Sequence, residues 1–274
     1  MNIQEIVTIL TNSGIHPREA NIEVRMMIEH YCNYTAMDII RGVALDYEKL
    51  KIVKEKALLR AKTRIPVQYI MGHAYFMGQK FKVNEKVLIP RGDTEHVVAR
   101  AIDIINSYSY KNILDIGTGS GCISCMIAQK TDATVTAIDI SEDALNIARE
   151  NAKQFKLEKQ INFVQSNLFE NIKNKKFDLI ISNPPYIAQG TRLPQEVQHE
   201  PTSALFADDN GLYFYKQIIS QAHNYLNPQG HIVFEIGYNQ ALEVSDILAK
   251  NQFKDIMVEK DMAGLDRIVY AKLA

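Results

Sequence analysis

The chain has 274 residues, 46% of them hydrophobic and 23% charged, with a formal net charge of −1. That length suits a large domain with a smaller companion, and the near-neutral balance provides no whole-chain field to draw it onto nucleic acid or an anionic membrane. No apolar run approaches the roughly 18 residues of a membrane span, and three cysteines, Cys32, Cys122 and Cys125, are too few for a disulfide framework.

The start, Met1-Asn2-Ile3-Gln4-Glu5, lacks the basic and apolar segments of a secretory signal, so a cytoplasmic location is expected. Residues 1–72 carry helical periodicity: Ile3, Ile6, Ile9 and Leu10 fall on one face, and Ile22, Met26, Met27 and His30 on another. Asn12-Ser13-Gly14 and Asn33-Tyr34-Thr35 punctuate these segments. A helix over 50–61 puts Lys51, Lys54, Lys56, Arg60 and Lys62 on or near its exposed faces, as either a solvated face or a docking surface. A helical bundle is predicted. From 67 to 88 aromatic and β-branched residues broken by Gly72 and Gly78 suggest a hairpin, with a connecting segment at 73–88. A helix to about Ile105 then follows, capped by Thr94 or Asp93.

The rest, within a domain over 89–274, alternates strands and helices. Strands are predicted at 112–116, 134–140, 161–165, 177–182, 231–236, 256–259 and 267–271, and helices at 122–129, 142–154, 212–226 and 240–248. Short apolar strands spaced by amphipathic helices indicate a largely parallel α/β sheet covered on both faces. The last two strands are too close in sequence for a parallel crossover and should be antiparallel. Cys122 and Cys125 form a C-x-x-C pair, read here as small residues on a helix beneath the sheet.

Four strand ends carry polar chemistry. The first runs from Asp115 into Gly117-Thr118-Gly119-Ser120-Gly121. Glycines there permit a tight turn and close approach of a ligand to the backbone. The spacing is G-x-G-x-G, not the G-x-G-x-x-G of dinucleotide sites, which weakens a nicotinamide oxidoreductase reading and suits an adenosine with an amino-acid tail. Asp139 lies 22 residues past Gly117, placed to accept from ribose hydroxyls, while Asn167 and Leu168 can meet the adenine amine and ring. Together these read as an S-adenosylmethionine site. Asn183-Pro184-Pro185-Tyr186 ends the next strand: as a bare turn it is a strand stop, but beside such a site it is a stiff cup that can accept hydrogen bonds from a planar –NH2 group.

The ordered motifs resemble one family along nearly the whole chain: Arg18-Glu19-Ala20, Pro66 to Gly72, Leu88-Ile89-Pro90-Arg91, the 117–121 loop, Asn183 to Ile187, Glu200-Pro201, Asn210-Gly211-Leu212, Glu235-Ile236-Gly237 with Gln240, and Ala263-Gly264-Leu265-Asp266-Arg267. The family is the peptide chain release factor glutamine N5-methyltransferases of the PrmC/HemK type. The resemblance implies a seven-stranded Rossmann-like class I methyltransferase sheet with a small N-terminal helical bundle that docks substrate. It further implies methylation of the glutamine in the Gly-Gly-Gln loop of a release factor. Asn183 and the Pro184 carbonyl would accept the two amide hydrogens, Tyr186 would pack on the amide plane, and Pro185 would complete the cup. No metal, stable nucleic-acid partner or membrane is expected, and a monomer is. Gly92 and Asp93 stand where the family has Pro and Glu, and Asn167 where it commonly has Asp. A ribosomal-protein glutamine methyltransferase, an adenine-amine methyltransferase of DNA or RNA, and a noncatalytic S-adenosylmethionine-binding protein remain as alternatives.

Overall fold

Helices α1 (Ile3–Asn12), α2 (Pro17–Cys32), α3 (Ala36–Ile40), α4 (Tyr47–Thr63) and α5 (Val67–Met71) follow one another before any strand. The computed structural model describes residues 2–43 and 45–274; Met1, part of the signal-segment and domain readings above, and Ala44 lie outside them. Contacts divide the chain into two units, Met1–His73 with Leu193–His199, and Ala74–Arg192 with Glu200–Ala274. No helix of the described residues is long and apolar enough to cross a membrane.

In the first unit α1 and α2 pack on α4 around Ile6, Leu10, Val24, Met27, Ile28, Val53 and Ala57. Asn2 and Asp46 cap α1 and α4 by accepting from backbone N–H groups of the first turn. Two details differ from the sequence reading. The buried stripe of α2 passes through Ala20, Val24, Met27 and Ile28, leaving Ile22 exposed. Arg60 is not on a solvated face: it is 1% exposed, and its guanidinium forks onto Glu23, itself buried, at 2.8–3.2 Å. Such a planar fork matches a carboxylate in two bonds, which is what makes a buried arginine tolerable. Segment 193–199 joins this unit because Glu196 accepts from Arg60 at 3.2 Å and pairs with Arg64, while His199 Nε2 donates to the Thr63 carbonyl at 2.9 Å.

The hairpin β1 (His73–Phe76) and β2 (Gln79–Lys82) follows α5, so residues 67–71, read as the start of an extended region, are a helical turn. Then come α6 (Gly92–Tyr108), β3 (Asn112–Ile116), α7 (Cys122–Lys130), β4 (Thr134–Asp139), α8 (Glu142–Gln154), β5 (Ile161–Gln165), β6 (Phe177–Ser182), the short β7 (Ile187–Ala188) and β8 (Phe206–Ala207), α9 (Tyr213–Ala222), β9 (Leu226–Glu235), α10 (Ala241–Lys250), β10 (Phe253–Lys260) and β11 (Asp266–Leu273). The main sheet has the order β10-β11-β9-β6-β3-β4-β5. β9, β6, β3, β4 and β5 run parallel, and β11 is antiparallel to both its neighbours.

The pleat sorts successive residues to opposite faces. Ile113, Leu179, Ile181 and Val233 pack beneath α6 and α7, whereas Leu114, Ile180, Ile232 and Phe234 pack beneath α9 and α10. Cys122 and Cys125 are buried in the first layer, where burial pushes the Cys122 thiol up to about 12 and Cys125 higher still. The chain leaves β3 in one direction to β4 and β5, then returns on the other side to β6, which opens a crevice at the carboxyl ends of the strands.

Candidate active site

Sheet register sets the site. Ile116 of β3 lies opposite Ile138 and Ser182, Ser182 opposite Phe234, and Asp139 opposite Gln165. The residues that follow these positions therefore emerge together at one edge.

Asp115 sits beneath the glycine loop with no exposure. Its Oδ2 accepts from Thr118 Oγ1 at 2.7 Å and Ser124 Oγ at 2.6 Å, and burial pushes it up to about 6 despite these donors. A hydroxyl on the loop and one on α7 are thus drawn onto the same carboxylate oxygen, which fixes how the loop enters the helix. Gly121 closes the turn at φ +78°, and an added Cβ would lie 2.9 Å from the Ala148 side chain. Asn151, fully buried on α8, donates to the Ser120 carbonyl at 2.8 Å and accepts from Lys82 N at 2.7 Å, tying the loop to the hairpin. Asp139 accepts from Gly119 N and from Ser141 N, each at 2.9 Å. Burial pushes its carboxyl above the usual carboxylate range, and those backbone donors pull it back.

A cavity of about 560 Å³ opens over these strand ends. Gly117, Gly119, Asp139, Asn167, Leu168, Asn183, Pro184 and Pro185 all line it. Side chains at 117 and 119 would project into open space, since nothing lies within 4 Å of a Cβ built at either position. The missing Cβ atoms therefore leave room for a ligand against the backbone. Thr118, Ser120 and Gly121 do not line the cavity; the first two are buried and serve the loop from below. Asn167 is exposed and donates to Glu170 at 3.0 Å, next to Leu168, which adopts φ +48°. Ser166 stabilises that turn by donating to the Leu168 carbonyl at 2.6 Å and accepting from Asn171 N at 3.0 Å.

The far wall joins two further motifs. Glu200, 4% exposed, pairs with Arg91 and accepts from Ile89 N at 3.1 Å. This holds Leu88 and Pro201, both on the cavity wall, in one place. Thr94 and Asp93 do not cap α6, whose N-cap is Arg91, with no side chain accepting from the first-turn N–H groups there. The Thr94 hydroxyl is spent on Glu235, and Asp93 pairs with Arg267 at 3.4 Å.

At the cup, Ser182 Oγ donates to the Ile116 carbonyl at 2.7 Å, locking β6 to β3 immediately before Asn183. Asn183 Nδ2 donates to Thr94 Oγ1 at 3.3 Å. Tyr186 lies off the cavity wall; its hydroxyl donates to Glu235 at 3.4 Å and its carbonyl accepts from Gln240 Nε2 at 3.1 Å. Burial pushes the Tyr186 phenol up to about 12.

The model of the methyltransferase small domain family matches residues 101–264. A release factor glutamine methyltransferase of Clostridium botulinum is 40% identical over 77% of this chain and 77% of its own length. The chain belongs to the release factor glutamine methyltransferase family. A member from Fusobacterium nucleatum is 46% identical over 81% of this chain but only 64% of its own length, so the match spans less than two thirds of that relative. Among solved structures, a ribosomal protein L11 methylase from Lactobacillus delbrueckii subsp. bulgaricus superposes with a TM-score of 0.52 at 21% identity, over 73% of this chain and 88% of its own, which shows a shared fold. The sheet is that of class I methyltransferases. Thr94, Glu200 and Asn151 escaped the sequence reading as contributors to the site. Glu200 could have been found from its motif; Thr94 and Asn151 make bonds 69 to 141 residues away and carry no local mark.

Proposed function

We propose that this methyltransferase moves a methyl group from S-adenosylmethionine to the side-chain amide nitrogen of the glutamine in a release-factor Gly-Gly-Gln loop. The observation that carries the reading is the state of Asn183. Its NH2 group is engaged by Thr94, so the carbonyl oxygen is left as the amide's acceptor at the rim of the cavity. The open backbone at Gly117 and Gly119, the Asp139 carboxylate and the apolar Leu168 suit the amino-acid tail, ribose and adenine of S-adenosylmethionine. Bound there, that group supplies an electrophilic methyl on a sulfonium centre.

A carboxamide nitrogen is a weak nucleophile because its lone pair is delocalised into the carbonyl. Asn183 Oδ1 and the Pro184 carbonyl, accepting one amide hydrogen each, would hold the plane in place and favour positive charge on nitrogen. Two consecutive prolines keep that carbonyl rigid. Tyr186, anchored at both its hydroxyl and its carbonyl, is assigned a place behind the cup, supporting the turn from below. The helical unit is assigned to docking the release factor, the chain is taken to act as a cytoplasmic monomer, and neither metal nor nucleic acid is needed.

The test offers labelled S-adenosylmethionine with release factor, ribosomal protein or DNA in separate reactions. Label at the Gly-Gly-Gln glutamine is expected; label confined to DNA or to the ribosomal protein would overturn the assignment. Asn183→Ala should lower kcat by on the order of 10²- to 10³-fold, the range for a lost preorganised polar group.

A further inference from the structure

Asn183 is the end of a chain of hydrogen bonds that runs into the sheet. Its Nδ2 lies 3.3 Å from Thr94 Oγ1, the Thr94 hydroxyl lies 2.6 Å from Glu235 Oε2, and the Tyr186 hydroxyl approaches Glu235 Oε1 at 3.4 Å. Glu235 ends β9, the strand beside β6, and is 1% exposed. A hydroxyl has one proton to give, and an ionised carboxylate can only accept. Thr94 therefore gives its proton to Glu235 and offers Asn183 a lone pair. That lone pair selects the NH2 end of the amide and turns Oδ1 away.

We propose that Glu235, acting through Thr94, is a positioning residue that decides whether Asn183 presents an acceptor or a donor to the substrate amide. The proposal rests on the methyl-transfer reading of the site. Protonation of Glu235 on Oε2 reverses the sequence of donors: the acid donates to Thr94, the hydroxyl donates to Asn183 Oδ1, and the NH2 end faces outward. An outward NH2 cannot accept the hydrogens of a glutamine side chain. The ionised state is competent and the acid state is not.

The charged and titratable groups around Glu235 come from several elements. Asp93 lies on α6 with Thr94, Cys122 on α7, Tyr186 after β6, Tyr215 on α9 and Arg267 on β11. Tyr215 donates to the Glu235 carbonyl at 2.8 Å, and Arg267 is shared among Asp93, Asp261 and the Ile236 carbonyl. Burial pushes Glu235 up to about 7, against the pull of Thr94 and Arg267, which places the switch inside an accessible pH range.

The experiment follows the Asn183 side-chain NH2 resonances of the 15N-labelled full chain from pH 5 to 9, identified by their loss in Asn183→Asp, alongside kcat for a release factor. In the wild type both should titrate with one midpoint, and kcat should fall about tenfold from pH 8 to 6, as a single proton with a midpoint near 7 requires. Glu235→Gln should abolish both titrations. Thr94→Val should abolish the resonance titration and lower kcat by up to about 10²-fold, the scale of a misplaced reacting group, with the cofactor dissociation constant within about twofold of wild type. Thr94→Ser should restore the titration and most of kcat. Wild-type resonances that stay fixed across the range, or a Thr94→Val variant that tracks the wild type, would overturn the proposal. Absence of methyl transfer by the wild type would instead defeat the functional reading, while the resonances still decide the positioning.

Discussion

Gly211→Ala isolates how the cup is supported from behind. Gly211 has φ +87°, and an added Cβ would stand 2.1 Å from the Tyr186 carbonyl oxygen, 2.9 Å from its carbon and 2.7 Å from Gln240 Nε2. Ordinary contact begins near 3.4 Å, so the Tyr186 backbone must retreat by more than an ångström, carrying the end of the Asn183-to-Tyr186 turn with it. The left-handed conformation alone costs a non-glycine residue about 1–2 kcal/mol, overpacking adds roughly 1–3, and loss of the Gln240 bond to Tyr186 roughly 1 more. The expected destabilisation is about 3–6 kcal/mol. Gly264 provides the control: φ is +80° but nothing lies within 4 Å of its Cβ position, so Gly264→Ala should lose only the conformational part. Urea unfolding of both variants and kcat of both measure the difference. If the two lose equal stability and Gly211→Ala keeps its turnover, crowding of the Tyr186 carbonyl is not what keeps position 211 a glycine.

Asp139→Ala removes the acceptor of two backbone N–H groups and the carboxylate of the cavity wall. At about 1.5–3 kcal/mol for a charged hydrogen bond, S-adenosylmethionine should bind roughly 10- to 100-fold more weakly by calorimetry, and unchanged affinity would remove Asp139 from the cofactor site. Glu235 has its folded pKa raised from 4.5 to about 7, so its contribution to stability is present at low pH and lost as pH rises through 7. Glu235→Gln should therefore gain on the wild type by about 2–3 kcal/mol between pH 5 and pH 8, read from urea unfolding of the free protein; a pH-independent difference would contradict the buried-carboxylate argument. Arg60→Met strands a buried carboxylate at Glu23 and should destabilise the helical unit by about 3–5 kcal/mol. Adding Glu23→Leu should recover most of that loss, as followed by hydrogen exchange in α2 and α4, and a double variant no more stable than the single would show that the charge was not the cost.

What the sequence made legible follows from distance along the chain. β3, β5 and β6 end where alternation and turn residues say they should, because those signals lie within the element itself. The antiparallel return of β10 onto β11 could be read from the shortness of its connection. Arg60 was misread for the same reason: a lysine-rich helix looks solvated, and the carboxylate that buries this arginine is 37 residues upstream. Thr94 has the residue type and position of a cap, yet its hydroxyl goes to a carboxylate 141 residues away. Thr118 and Ser120 sit in a loop whose Gly117 and Gly119 line the cavity, and the loop turns these two inward.

Register, more than any single side chain, makes the site. Ile116, Ser182 and Phe234 stand abreast on β3, β6 and β9, so the next residue of each strand brings a glycine, an amide and a buried acid to neighbouring places. Each of the three matters through the others: the glycine leaves space, the amide lies at the rim of that space, and the acid fixes which end of the amide points there. Slipping one strand by a residue would put Ser182 or Phe234 in that row and turn the apolar face of β6 or β9 outward. The layers of isoleucine, leucine and valine on both faces of β6 and β9 forbid that slip. The same packing that stabilises the sheet thereby fixes the relative positions of Gly117, Asn183 and Glu235.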